Sequence, residues 1–225
     1  MQILSIDVGI VHLAMIKVVL ESDYLSRSEV ILDREITMCD LVDTVKLVSD
    51  CQDPDCDLYH DKIICDYMTH LFKKYKSVFE SSDVILIERQ PFTGLVAVQE
   101  LIMKEYRYKS ILVSPSAMLN SFGILHLEYD DRKVQTEKIA KKYLSDIKMF
   151  MFSERRHDMA DALCILYYYL SRERKKAKQI LEDLEFKRDN SSFISNIQRF
   201  KYNPGPDPGP VPGPDVSTSQ DLKNK

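Results

Sequence analysis

The chain has 225 residues, of which 44% are hydrophobic, and a net charge of −4. This length is enough for one large domain with a tail, and no stretch approaches the ~20 uncharged apolar residues that cross a bilayer. The five cysteines are an odd number, and Cys39, Cys65 and Cys164 lie in apolar segments, so we expect free thiols in an intracellular, reducing compartment.

The first predicted strand, residues 3–9, is apolar except for Asp7. A strand of this kind is buried on both faces, and a carboxylate within it is costly unless it meets a cation or a hydrogen-bond donor. The alternative is that Asp7 caps a turn before Gly9. Alternating residues at 11–20 predict a second strand that folds back antiparallel, and residues 28–36 predict a third strand beside it.

A polar, turn-rich loop is predicted at residues 49–60. Within and beside it lie Cys51, Cys56, His60 and Cys65, which are either ligands of a structural zinc ion or ordinary loop and core residues. Their spacing does not fit the standard paired zinc-knuckle patterns.

The rest of the chain alternates helices and strands. Helical periodicity predicts helices at 61–80, 95–106, 131–144 and from about 157 onward, the last with a charged extension over 172–188. Buried strands are predicted at 84–91, which contains Glu88, and at 110–115. Proline and glycine alternate after residue 203, so we expect a domain over 1–200 and an unpacked tail over 201–225.

Four carboxylates stand out by their position. Asp7 and Glu88 lie near the ends of buried strands, and Asp158 and Asp161 share one face of a helix because residues i and i+3 are neighbours there. Oxygen ligands favour Mg²⁺ or Mn²⁺, and two such ions about 4 Å apart serve phosphodiester hydrolysis. Singly, the helical pair fits a solvated first turn, and Glu88 fits an ion pair with Arg89.

Three motifs resemble a known family: Ile-Asp-x-Gly at the first strand, Ile-Glu-Arg-Gln-Pro at a later one, and His-Asp-x-Ala-Asp-Ala on the final helix. The set is similar to the Holliday-junction resolvases of large DNA viruses, of poxvirus and iridovirus type. These are relatives of RuvC-type and fungal mitochondrial resolvases in the ribonuclease H-like superfamily. The first motif also occurs in sugar kinases and actin-like ATPases, but those need further glycine-rich loops and the chain has only six glycines.

The resemblance implies an α/β fold whose mixed sheet has strands 1–3 antiparallel and later strands parallel, with flanking helices. It assigns Asp7, Glu88, Asp158 and Asp161 to a catalytic site with two Mg²⁺ or Mn²⁺ ions, and it places a catalytic lysine at Lys133, with Lys138 as the alternative. It further implies a homodimer that cuts two strands of a four-way DNA junction symmetrically, without a membrane, at sites of viral DNA replication in the host cell.

Basic segments are the predicted DNA contacts, since lysine and arginine neutralise phosphates without reading bases. The alternative for them is a solvated charged surface. Two other functions stay open: a ribonuclease H acting on RNA·DNA hybrids, and a non-catalytic protein that binds branched DNA. The predicted DNA-binding residues are Lys104, Arg107, Lys109, Arg132, Lys138, Lys141, Lys142, Arg155 and Arg156.

Overall fold

The centre of the fold is a five-stranded mixed sheet with the strand order β3-β2-β1-β4-β5. The computed structural model describes residues 1–26 and 35–201, with side chains up to residue 188. β1 pairs antiparallel with β2 and parallel with β4, β2 pairs antiparallel with β3, and β4 pairs parallel with β5. This order confirms the predicted mixed sheet. The strands are β1 (Gln2–Asp7), β2 (Leu13–Val19), β3 (Ile36–Val42), β4 (Val84–Glu88) and β5 (Ser110–Val113).

Helices cover both faces of this sheet. Among the described residues they are α1 (Thr44–Ser49), α2 (Ile64–Lys74), α3 (Lys76–Glu80), α4 (Val96–Glu105), α5 (Pro115–Ser121), α6 (Tyr129–Leu144), α7 (Lys148–Phe152) and α8 (Arg156–Lys201), with a short 3₁₀ helix at Arg107–Lys109. None of the described helices is long and apolar enough to cross a membrane.

Side-chain alternation on β1 separates two hydrophobic cores. Ile3 packs in one core with α5, α6, α7 and the first half of α8, whereas Leu4 and Ile6 pack in the other with α2, α3 and α4. All three side chains are fully buried. Because successive side chains on a strand point to opposite faces, the almost wholly apolar sequence of β1 follows from its place between two helical layers.

The helix predicted at 61–80 is two helices. α2 ends before Tyr75, whose φ of −103° and ψ of 20° interrupt the helix, and α3 follows. The Tyr75 hydroxyl donates a 2.5 Å hydrogen bond to Asp40 on β3. The apolar periodicity continues across this break, so periodicity alone predicts one helix.

The third strand also differs from its prediction. β3 begins at Ile36, the last residue of the predicted strand, and runs on to Val42. Residues 28–34 of the predicted strand lie outside the described part of the chain. The antiparallel pairing of β3 with β2 was predicted and is present.

The chain divides into two compact units, Met1–Ala177 and Lys178–Lys225. In the second unit the structure describes the remainder of α8, where Lys178 and Glu182 form an ion pair of 3.8 Å, one helical turn apart. The predicted tail lies outside the described residues from residue 202 onward. The predicted domain boundary near residue 200 stays a prediction.

Gly9 stands where the backbone folds back between β1 and β2. A Cβ atom there would lie 2.2 Å from the carbonyl oxygen of His12, so the backbone that connects the two strands would have to shift. We expect Gly9→Ala to lower the free energy of unfolding by about 1–3 kcal/mol, measured by urea denaturation. Gly123→Asn is the matched control, because Gly123 has a φ of +71° and open space around it, and asparagine tolerates that conformation. Equal losses in both variants would contradict the steric argument.

Candidate active site

Asp7 and Glu88 end two neighbouring parallel strands on the same face of the sheet. Ser5 on β1 pairs with Leu86 on β4, and the Ser5 hydroxyl donates a 2.7 Å hydrogen bond to the carbonyl oxygen of Ala162 on α8. Side chains two residues apart on a strand share a face. Asp7 and Glu88 therefore point toward α8 from adjacent strands.

Lys133 and Asp161 approach this pair from two helices. The Lys133 ammonium on α6 donates a hydrogen bond to the Asp161 carboxylate on α8, and both side chains are mostly buried. The Lys133 Nζ also lies 5.4 Å from the centre of the Tyr129 ring. The structure thus brings together three predicted carboxylates, Asp7, Glu88 and Asp161, with the predicted lysine.

Burial and mutual repulsion disfavour the charged forms of the two strand carboxylates. Burial raises the pKa of Asp7 well above its ordinary value, and the charges of Glu88 and Asp161 raise it further. Burial also raises the pKa of Glu88, although hydrogen bonds from Asp7 and Gln90 favour its charged form. The hydrogen bond between the two carboxyl groups raises the pKa of Asp7 further and lowers that of Glu88.

Lys133 keeps its positive charge in this surrounding. Burial alone lowers the pKa of a lysine, but the charge and hydrogen bond of Asp161 outweigh it and the pKa of Lys133 is raised. The carboxylates still outnumber this ammonium group. Their donor atoms are all oxygens, which suit Mg²⁺ or Mn²⁺ better than a softer metal, so Asp7, Glu88 and Asp161 fit a divalent cation.

Two glutamines fix the position of Glu88. The Gln90 side chain donates a 2.7 Å hydrogen bond to the Glu88 carboxylate, and its amide oxygen accepts one from the Leu95 backbone at 3.2 Å. The Gln90 backbone N–H donates to the side-chain oxygen of Gln99 on α4 at 2.8 Å. Neither glutamine was predicted to belong to the site. The available signals were the place of Gln90 in the Ile-Glu-Arg-Gln-Pro motif and the polar character of Gln99 inside an apolar helix.

Asp158, the fourth predicted carboxylate, is engaged by basic neighbours. Its side chain accepts a 2.9 Å hydrogen bond from Arg155 Nε, and His157 Nε2 lies 3.2 Å from its other oxygen. It is buried, one helical turn before Asp161. Its role as a metal ligand stays a prediction.

A cleft of about 610 Å³ opens beside these groups. Glu88, Lys133 and Asp161 line it together with Arg132 and Tyr129. Lys138, the alternative catalytic lysine, instead lines a different cavity of about 330 Å³ with Glu137 and Arg156. Of the two candidate lysines, Lys133 is therefore the one that contacts a site carboxylate.

The predicted DNA-binding residues differ in their exposure and in their contacts with other groups of the protein. Lys109 is half-buried and donates hydrogen bonds to the carbonyl oxygens of Phe79 and Glu80 at 2.7 and 3.1 Å. Arg156 lies 3.8 Å from Glu137. Their role in DNA binding stays a prediction, as does that of the exposed basic residues Lys104, Arg107, Lys138, Lys141 and Lys142.

The cysteine and histidine cluster has a different membership from the predicted one. Cys51, Cys56, His60 and His70 have ligand atoms that all lie within 4.8 Å of one another. Cys65, a predicted member, is exposed and is not part of this group. It lies near the start of α2 on the solvent side, whereas His70, from the buried side of α2, takes its place.

Burial of Asp7 has a measurable effect on stability. At pH values between the ordinary pKa of an aspartate, near 3.9, and the raised pKa of Asp7, the folded chain binds more protons than the unfolded chain. The free energy of unfolding therefore falls as the pH rises through this range. We expect Asp7→Asn, in chelator, to raise the free energy of unfolding by about 1–2 kcal/mol at pH 8, and the gain to shrink toward pH 4. Urea denaturation across this range measures it, and parallel pH profiles for both proteins would contradict the assignment.

The mixed sheet and the helices on both of its faces form a ribonuclease H-like fold. The Holliday junction resolvase of fowlpox virus superposes with a TM-score of 0.52 at 14% identity, over 76% of this chain and 99% of that one. The fowlpox virus resolvase in complex with its substrate Holliday junction DNA gives a TM-score of 0.52 at 15% identity, over 76% and 97%. No protein-family model and no curated protein matches the chain in sequence.

Proposed function

We propose that the chain is a metal-dependent, structure-selective endodeoxyribonuclease that resolves four-way DNA junctions by paired, symmetric hydrolysis. The observation that carries this proposal is the convergence of Asp7, Glu88 and Asp161 with Lys133 beside an open cleft. The likeness in fold to the fowlpox virus resolvase supports the choice of a branched DNA as substrate.

The carboxylates hold Mg²⁺ or Mn²⁺ in this proposal. Asp7 and Glu88 would hold the ion from β1 and β4, with Gln90 keeping the Glu88 carboxylate oriented, and Asp161 and Asp158 would hold it from α8. When bound, two such ions activate the attacking water and stabilise the leaving oxygen. Lys133 presents its ammonium group to the phosphate at the cleft, where a fixed positive charge stabilises the developing negative charge.

The predicted basic residues hold the duplex arms in this proposal. Arg132 lines the cleft itself, and contacts of this kind make binding dependent on salt. Cutting two strands symmetrically needs two active sites, so we propose that the protein acts as a homodimer. Sedimentation with and without junction DNA measures this state.

Cleavage of a labelled synthetic four-way junction tests the proposal. Linear duplex, flap and RNA·DNA hybrid substrates serve as controls, each with Mg²⁺, Mn²⁺ or chelator. We expect paired symmetric nicks in the junction that disappear with chelator. If the RNA·DNA hybrid were cleaved and the junction were not, the assignment of the active site would stand, but the substrate would be that of a ribonuclease H. Binding of the junction without any cleavage would favour a non-catalytic DNA-binding protein.

A further inference from the structure

A second cluster of metal-binding side chains lies at the segment between α1 and α2. Cys51, Cys56 and His60 belong to this segment, and His70 belongs to α2. We propose that these four residues bind one Zn²⁺ ion, which fastens the segment to α2. The inference is independent of the proposed nuclease function, because it uses none of the residues of that site.

Two distances among the ligand atoms are close to those of a tetrahedral zinc site, and all four atoms lie within 4.8 Å of one another. Zinc bonds of about 2.0–2.1 Å to nitrogen and 2.3 Å to sulfur put two tetrahedral ligands about 3.3 to 3.8 Å apart. The Nε2 atoms of His60 and His70 are 3.2 Å apart, and Cys56 Sγ is 3.9 Å from His70 Nε2. Two thiolates and two imidazoles are a common donor set of structural zinc.

His70 is already oriented as a metal ligand. Its Nδ1 lies 2.8 Å from the carbonyl oxygen of Asp66, one turn earlier on α2, and the side chain is buried. An N–H at Nδ1 donates to that carbonyl, so the lone pair of Nε2 points toward Cys56 and His60. Ligating histidines are typically fixed in this way by a bond at their other nitrogen.

The segment has little else to hold it. Residues 50–63 contain no helix or strand, and most of their side chains are exposed, among them Asp53, Asp55 and Tyr59. An irregular connection of this length is uncommon in a compact domain. The ion pairs of Lys73 with Asp53 and Asp57, at 3.8 and 3.2 Å, are solvent-exposed and contribute little stability. Metal binding supplies the missing constraint.

The two metal sites of the chain select different ions. The carboxylate cluster offers hard oxygen ligands, whereas this cluster offers sulfur and imidazole nitrogen, which favour zinc over magnesium. Zinc therefore stays in the cysteine and histidine cluster when Mg²⁺ is in large excess, and a measurement of zinc in excess Mg²⁺ reports on this cluster alone.

The test is the zinc content of the full chain after dialysis in excess Mg²⁺, by elemental analysis. We expect about one zinc per chain in the wild type, and at least a tenfold loss in Cys56→Ser and His70→Ala. Cys65→Ser and Asp7→Asn are the matched controls and should keep their zinc. A wild type without zinc, zinc retained in Cys56→Ser, or zinc lost in either control would overturn the proposal.

Two measurements on the wild type cover the case in which variants do not fold. Replacement of zinc by Co²⁺ should give the visible absorption of a tetrahedral site and a sulfur-to-cobalt charge-transfer band. An octahedral spectrum without that band would contradict the ligand set.

A zinc-selective chelator in excess Mg²⁺ should increase trypsin cleavage after Lys62 at least tenfold. Cleavage after Arg107, in the 3₁₀ helix, should stay unchanged, and an unaltered rate at Lys62 contradicts the fastening role.

Discussion

Asp7→Asn and Asp161→Asn are each expected to lower the rate of junction cleavage by about 1,000-fold or more, a loss of about 4 kcal/mol of transition-state stabilisation. Both changes remove an oxygen ligand and a negative charge from the proposed metal site while keeping the size of the side chain. Neither side chain is proposed to contact the DNA arms. Binding of the junction, measured by gel shift in Ca²⁺ or chelator, should therefore change less than threefold.

The matched control for these variants is Asp130→Asn. Asp130 is an exposed carboxylate in the first turn of α6, so the substitution makes the same change in charge away from the cluster. It should cut the junction at the wild-type rate. If Asp7→Asn or Asp161→Asn cleaved the junction at the wild-type rate, the assignment of these residues to the metal site would be wrong. Equal losses in all three variants would show an effect of net charge alone.

Lys133→Ala is expected to slow junction cleavage by about 100-fold. The ammonium group of Lys133 is buried beside Asp161 and lines the cleft, so its loss removes a fixed positive charge at the proposed phosphate position. Single-turnover cleavage rates with saturating enzyme measure this effect separately from DNA binding. A thermal melt in parallel reports whether the unpaired Asp161 carboxylate destabilises the fold.

Lys138→Ala is the control that separates an effect of Lys133 on catalysis from a general electrostatic attraction of DNA. Lys138 is exposed on the same helix and lines the other cavity, so its removal should change the single-turnover rate less than threefold and weaken binding slightly at low salt. If Lys138→Ala were the slower variant, the catalytic lysine would have to be reassigned to Lys138.

The central strands and the positions of Asp7 and Glu88 were predictable because two local signals agree there. Apolar runs buried on both faces indicate central strands, and each run contains a carboxylate that has no reason to be buried without a partner. Parallel pairing of β1 and β4 then places both carboxylates at one edge. The proximity of Asp161 and Lys133 to these two carboxylates could not be predicted from local sequence patterns and was implied by the family resemblance.

Other parts of the structure depend on tertiary contacts that a local pattern does not contain. Helices α1, α5 and α7 have six, seven and five residues, which is too short for helical periodicity to stand out. The start of α5 has a local signal, since Ser114 caps it and Pro115 opens it, but both residues fall within the strand predicted at 110–115. His70 joins Cys56 only because the segment before α2 folds back on it.

The residues of the proposed active site are spread over most of the folded chain, from Asp7 at the end of the first strand to Asp161 on the last helix. The Ser5 hydroxyl and the Ala162 carbonyl, which join these two ends, are 157 positions apart in sequence. On the ribosome, a nascent chain that has not yet released the start of α8 lacks Asp161 and the helix that covers β1. Such long-range closure comes late in folding. If the chain is the nuclease proposed above, a partly synthesised or prematurely terminated chain therefore has no complete active site until α8 has docked.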